Sequence, residues 1–190
     1  ATGSTGTGGS GIYSSFVNIL GGIITKAKGG NATDTNSGDG GHGISSDEAL
    51  TIHRGNIETA QGGTSTNGTG GDGIHSGSVV KISGDTITKA TGGNATGKGG
   101  TGGSGIGGSF VNIAGGTINT TGLLTISDNA TITNATGGSG RSGGHGLFGS
   151  VMKILSSTIG TAKGGEGKTS GGNGIYGVGK LTISDNATIT

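Results

Sequence analysis

The sequence predicts an all-β chain, a parallel β-solenoid of about seven coils of about 30 residues, each with three short strands and a Gly-rich corner loop. Three observations predict it. A Gly-Ile (once Gly-Leu) dipeptide recurs at Gly11-Ile12, Gly43-Ile44, Gly73-Ile74, Gly105-Ile106, Gly146-Leu147 and Gly174-Ile175, at spacings of 32, 30, 32, 41 and 28 residues. An apolar-polar-apolar triplet follows it in every copy. A further Ile column then closes each repeat, and no 3.6-residue period is visible.

The triplets are Val17-Asn18-Ile19, Leu50-Thr51-Ile52, Val80-Lys81-Ile82, Val111-Asn112-Ile113, Leu124-Thr125-Ile126, Met152-Lys153-Ile154 and Leu181-Thr182-Ile183. Two inward residues flanking an outward one are the period-2 signature of a strand. The next column is Ile24, Ile57, Ile87, Ile118, Ile132, Ile159 and Ile189. Three residues on stand Ala27, Ala60, Ala90, Ala135 and Ala162, with Thr121 in a shortened copy that accounts for the 41-residue gap. A Gly-Gly pair generally follows. Strands this short need stacking, so equivalent strands are expected to pair in parallel, with right-handed winding from the handedness of parallel crossovers.

Glycine supplies 51 of 190 residues, and proline, cysteine and tryptophan are absent. Leu, Ile, Val and Phe total 36, at the border of compositions that remain disordered. Fixed Ile columns argue against a disordered linker, and the lack of a Gly triplet or proline excludes collagen. The Gly-rich excursions, such as 92–105 and 137–146, vary in length at one point of the repeat. They read as corner loops whose glycines supply positive φ or close backbone approach, and they are expected to stack into glycine layers.

Eleven basic and ten acidic residues are scattered singly, and two Tyr and three Phe give no stacking platform, which excludes nucleic acid as a partner. No run approaches the ~20 apolar residues of a membrane span. Residues 1–190 read as a single repeat domain, uncapped at both ends. NATIT at 186–190 joined to Ala1-Thr2-Gly3 nearly continues the internal pattern 129–137. The expectation is either a longer array or head-to-tail association of copies through open parallel edges.

The stretches Ile82–Gly93 (ISGDTITKATGG) and Gly102–Thr120 (GGSGIGGSFVNIAGGTINT) resemble the Gly/Ile/Thr-rich repeat arrays of bacterial secreted and cell-surface proteins. Those arrays are similar to pectate-lyase-like β-helices, including non-catalytic carbohydrate-binding ones. The resemblance implies an extracellular or cell-surface location and an adhesive or scaffolding role, and it carries over no catalytic residue.

Candidate chemistry is sparse. Residues 162–169 (AKGGEGKT) fit a loose phosphate-loop pattern, but Gly and Ser follow where a helix is required. Asp47, Glu48, Asp85, Asp128 and Asp185 are the carboxylates nearest strands. Asp128 and Asp185 sit in identical SDNAT turns, where such side chains bond their own backbone. The residue before each Gly-Ile is Ser10, His42, Asp72, Ser104, His145 or Asn173, read as a turn ladder bonding neighbouring backbone. His42 and His145 are several coils apart. No catalytic, cofactor-binding or metal-ligating residue and no cofactor is assigned, and the chain reads as a non-enzyme.

One face is richer. Thr25, Thr86, Thr88, Thr117, Thr131, Thr133, Thr158, Thr188 and Thr190 flank the last Ile column as an outward ladder. N-x-Thr sequons at Asn31, Asn67, Asn94, Asn119, Asn129, Asn134 and Asn186 are candidate N-glycosylation sites. The leading expectation is a structural protein of an extracellular filament, matrix fibre or surface stalk, with itself as partner. The alternative is a non-catalytic carbohydrate-binding or adhesin module, with polysaccharide as partner, or less strongly an ice-binding one, using the Thr ladder.

Overall fold

The computed structural model of the chain describes residues 6–33, 38–83, 86–97, 99–114, 123–127, 131–149, 151–184 and 186–190. These residues form β-strands and no helix, so no helix is long and apolar enough to cross a membrane. Among the described residues the strand pairings are parallel and join equivalent strands of different repeats.

The first sheet runs through Ile12–Ile19, Ile44–His53, Ile74–Ser83, Ile106–Ala114, Leu123–Ser127, Val151–Leu155 and Leu181–Ser184 in that order. The Gly-Ile and triplet columns therefore lie on one strand. Ile12 pairs Ile44, Ile44 pairs Ile74 and Ile74 pairs Ile106, while Val17 pairs Leu50 and Leu50 pairs Val80. The register shifts between Ser14 and Phe16 and between Ser76 and Val79. At this bulge the buried Ser46 hydroxyl donates to Ser76 Oγ at 3.2 Å, and Ser76 donates to the Glu48 carbonyl at 2.9 Å. Bulging lets both apolar columns face inward although their spacing is not a simple alternation.

The second sheet holds the last Ile column. Its order is Gly22–Ile24, Gly55–Ile57, Thr86–Thr91, Thr131–Thr136, Thr158–Lys163 and Thr188–Ile189. Ile24, Ile57, Ile87, Ile132, Ile159 and Ile189 align, as do Ala27, Ala60, Ala90, Ala135 and Ala162. One buried cluster collects Ile44, Ile74, Ile106 and Leu147 with Ile57, Ile87, Ile132, Ile159 and the Ala column. Fully burying a side chain of this size contributes roughly 1.5–3 kcal/mol.

Leu123–Ser127 sits between Ile106–Ala114 and Val151–Leu155, with Ile126 opposite Ile113. In the second sheet, Ile87 pairs Ile132 directly, and in the Gly-Ile column Ile106 pairs Leu147 directly. Ile118 and Thr121 lie outside the described residues.

The Gly-Gly pairs form the third structural layer. In the pairs from Gly29-Gly30 to Gly143-Gly144 the first amide bonds along the stack and the second bonds across it. Gly92 N–H donates to Thr136 O at 2.9 Å and Gly93 N–H to Gly71 O at 2.7 Å; Gly102 donates to Ser142 O and Gly103 to Gly93 O, both at 2.9 Å. The crosswise bonds run unbroken from Gly9 through Gly30, Gly41, Gly63, Gly71, Gly93, Gly103, Gly138, Gly144 and Gly165 to Gly172. Each corner loop is thereby pinched at its base, and its enclosed length varies from four residues (139–142) to nine (31–39).

The reason for glycine here is close approach. A Cβ on Gly62 or Gly92 would lie 1.8 Å from the carbonyl oxygen of Gly71 or Gly103, and one on Gly93 would lie 1.9 Å from Gly63 O. Among the described glycines, only Gly21 and Gly22 have positive φ, at 111° and 86°. Of the two uses the sequence offers for its loop glycines, the layer relies on contact.

Gly93→Ala is expected to lower unfolding free energy by about 3 kcal/mol or more, because two backbones must separate. Gly171→Ala, whose Cβ would meet nothing nearer than 3.9 Å, should stay within about 0.5 kcal/mol. Urea unfolding of both variants, with hydrogen exchange at the amides of Gly63, Gly93 and Gly138, tests this. Exchange there as fast as in the loops would refute the layer.

Candidate functional site

Three surface features derive from this register. The first is the column preceding Gly-Ile. His42 Nδ1 accepts the Asp72 N–H at 2.9 Å, Asp72 Oδ1 accepts the Ser104 N–H at 2.6 Å, and His145 Nδ1 accepts the Asn173 N–H at 3.0 Å. Each side chain bonds the backbone of its counterpart in the next repeat, as the turn-ladder reading expects. Asn31, Asn94 and Asp39 do the same at the loop edge, accepting from the N–H of Thr64, Ser139 and Thr69.

Next to this column the structure assembles rings that sequence reasoning missed. The residue after each Gly-Ile is Tyr13, Ser45, His75, Gly107, Phe148 or Tyr176, and these positions are paired in register. His42 stacks on His75 with centroids 4.1 Å apart and planes 7° apart. His145 lies beside Phe148 at 5.5 Å and 14°, and Tyr176 stacks on His145 at 4.4 Å. The signal was available only by writing the repeats beneath one another, since no two of these rings are adjacent in sequence. Tyr13, also in this column, donates its hydroxyl to Asp47, and that hydrogen bond to a carboxylate raises the phenol above its ordinary value.

His42, Asp72 and His75 bring three donor atoms within 4.8 Å of one another. Imidazole and carboxylate suit zinc, copper or nickel. The same side chains also make hydrogen bonds. His75 Nδ1 and Asp72 Oδ2 are 2.7 Å apart, and His42 Nδ1 is engaged by the Asp72 N–H. Parallel stacked rings also aim their lone pairs along separate planes, so one ion cannot lie in both without a ring turning. The ring neighbour of His42 is His75, in the next repeat, and not the distant His145.

The second feature is the Thr face. Thr86, Thr131, Thr158 and Thr188 stand directly in register, continued by Asn56 and Ile23. By the same register Thr25, Glu58, Thr88, Thr133, Gly160 and Thr190 form the second column. Thr25, Thr86, Thr88, Thr133, Thr158, Thr188 and Thr190 are exposed and Thr131 is half-buried. Thr117 lies outside the described residues.

Among the sequon asparagines, Asn94 and Asn186 are exposed and Asn31, Asn67 and Asn134 half-buried, while Asn119 and Asn129 lie outside the described residues. Asn186 has a left-handed backbone, with φ 59°. Of the strand-adjacent carboxylates, Asp47 and Glu48 are exposed, and Asp85, Asp128 and Asp185 lie outside the described residues.

The third feature is a cleft of about 230 Å³ beside the ring-bearing edge, lined by Thr69, Asp72, Thr101, Ser104, His145 and Phe148 with the Gly102-Gly103 and Gly143-Gly144 backbones. No family model, no curated protein and no solved structure matches the chain.

The His ladder makes stability pH-dependent. Burial lowers the pKa of His42, against a smaller opposing pull from Asp72, and burial lowers that of His145. Both must be neutral at Nδ1 to accept a backbone N–H. The unfolded chain therefore binds more protons just below pH ~6.5, so this stability is complete above that value and is lost as pH falls through the lowered folded values. Thermal melts between about pH 5 and 8 should show the melting temperature rising with pH. The double variant His42→Asn/His145→Asn, which puts the Asn173 residue type at both positions, should flatten that slope.

Proposed function

We propose that the chain is a structural repeat module of an extracellular or cell-surface filament, matrix fibre or stalk. It folds as a right-handed parallel β-solenoid whose ladders continue from the last repeat into a following set of equivalent repeats. The observation that carries this reading is where large apolar side chains are exposed. Among the residues whose burial is described, they are Tyr13, Phe16, Leu20 and Ile23 in the first described repeat and Tyr176, Val178, Leu181, Ile183 and Ile189 in the last. The same rows hold the outermost strands of both sheets, each paired on one side only. An apolar row along an open parallel edge is the contact by which such sheets extend, and stacking top on bottom gives a heterologous, non-closing interface.

The register specifies that interface. Leu181, Thr182 and Ile183 would stand opposite Val17, Asn18 and Ile19 of the next module, and Ile189 opposite Ile24, because these positions share columns throughout. The role needs no catalytic group and no cofactor.

A second reading is favoured by one observation, the in-register Thr columns on the second sheet. Regular outward hydroxyls at the ~4.8 Å strand spacing suit a repetitive ligand such as a polysaccharide, less strongly ice, or lateral contact with a second filament.

Negative-stain electron microscopy of the purified chain should show fibres. Asn18→Cys/Thr182→Cys should give a ladder of disulfide-linked oligomers on oxidation, since in-register parallel neighbours fall within disulfide reach. Dispersed particles and no ladder beyond a dimer would reject the filament. For the second reading, Thr86→Lys/Thr131→Lys/Thr158→Lys should abolish retention on the cognate polysaccharide with little change in melting temperature. Retention unaffected by the triple variant would remove the Thr face from consideration.

A further inference from the structure

We infer that the cleft under His145 and Phe148 is a binding site for one ring of a neutral saccharide, independent of the filament role and of the Thr face. The site exists because one repeat lacks the side chains its neighbours carry. Along the two edge columns, the third repeat has Asp72 and His75, the fourth has Ser104 and Gly107, and the fifth has His145 and Phe148. The fourth repeat thus leaves a slot between the two that flank it. Ser104 lines the cleft at this repeat, and Gly107 is buried with space for no side chain: a Cβ there would lie 2.7 Å from Asp72 Oδ2 and 3.2 Å from Ser104 Cβ.

The roof is an aromatic platform. His145 and Phe148 are near-parallel, with planes 14° apart and centroids 5.5 Å apart, and Tyr176 of the sixth repeat stacks on His145 at 4.4 Å. Both His145 and Phe148 line the cleft on the side of the fourth repeat's Ser104. Repeats two apart are separated by roughly 9.6 Å. Subtracting one van der Waals contact distance of about 3.5 Å leaves roughly 6 Å, thicker than a planar aromatic ring and suited to a puckered pyranose.

The chemistry of the lining points the same way. Among the described residues that line it, the one charged group is the Asp72 carboxylate, already holding the Ser104 N–H and facing His75, and none is Lys or Arg. The hydroxyl side chains of Thr69, Thr101 and Ser104 line the same cleft. His145 accepts at Nδ1, so its remaining proton is on Nε2 and available to donate. A ligand with an apolar C–H face for the rings and several hydroxyls for these groups is a sugar. The volume, about 230 Å³, is below the range of ~300–1,000 Å³ for extended small-molecule sites and fits one residue of a chain.

The test is a titration of the 190-residue chain with glucose, galactose, N-acetylglucosamine and their β-linked oligomers, and with adenosine and glucuronate. Binding is read from the ring resonances of His145 and Phe148 by NMR. A neutral saccharide is expected to shift both saturably, and adenosine and glucuronate are expected not to. Ser104→His, the residue already present in this column at 42 and 145, fills the slot and should weaken binding about tenfold or more. Phe148→Ser, matching Ser45 of the same column, removes half the roof and should do likewise, which covers failure of the first variant to fold. Silence from every neutral saccharide, a response to adenosine or glucuronate alone, or full affinity in Ser104→His would overturn the proposal.

Discussion

The structure depends on a contact that no side chain can enter. Facing Gly-Gly pairs bring two extended backbones close enough that a Cβ on Gly29, Gly62, Gly92, Gly137 or Gly164 would lie 1.8–1.9 Å from a carbonyl oxygen opposite. Glycine is entropically costly to order, and backbone buried this deeply must have all its polar groups paired. The alternating pattern meets that demand, with one amide of each pair bonding to the next repeat and the other across the layer. Each bond contributes a net ~0.5–1.5 kcal/mol, and the ladder repeats at every level of the stack. This is how a chain with so few large apolar residues sustains order: backbone pairing supplies what side-chain burial does not.

The layer also fixes register. Because Gly93 bonds to Gly71 on one side and receives Gly103 on the other, the chain cannot slip by a residue without losing both partners and driving a side chain into the contact. Every other column inherits that alignment. Ile57, Ile87 and Ile132 meet in line, His42 reaches Asp72, and Thr131 falls between Thr86 and Thr158. Side chains on the outer faces are then free to differ between repeats. A Ser or Gly in a column otherwise carrying rings does not disturb the fold, and it is such local omissions that shape the surface.

What could be read from the sequence follows the same division. The Ile, Ala and triplet columns are period-2 patterns with strong burial contrast, and the parallel pairing of like with like agrees with them. The fate of the shortened repeat was not readable. Thr117–Ile126 aligns with Gly174–Ile183 without gaps, yet among the described residues Ile87 pairs Ile132 directly. The use of glycine was only half readable, since positive φ and close approach call for the same residue. The ring-bearing edge escaped notice because its members are each isolated in sequence, and only the column order places His145, Phe148 and Tyr176 side by side.

The pinched loop bases explain how such a chain diversifies. Lengthening a closed loop costs little entropy, about 0.6 kcal/mol per doubling, provided its ends are held elsewhere. Here they are held by the crosswise glycine bonds, which are the same whether the loop encloses residues 139–142 or 31–39. Loop content and outward side chains can therefore change while the layer, and with it the register, stays as it is. The cleft beneath His145 and Phe148 is built this way: Thr69 and Thr101 come from loop bases, Ser104 is a small residue in an edge column, and the walls come from the repeats on either side. A recognition surface on this scaffold needs no new element, only a repeat that omits a side chain where its neighbours keep theirs.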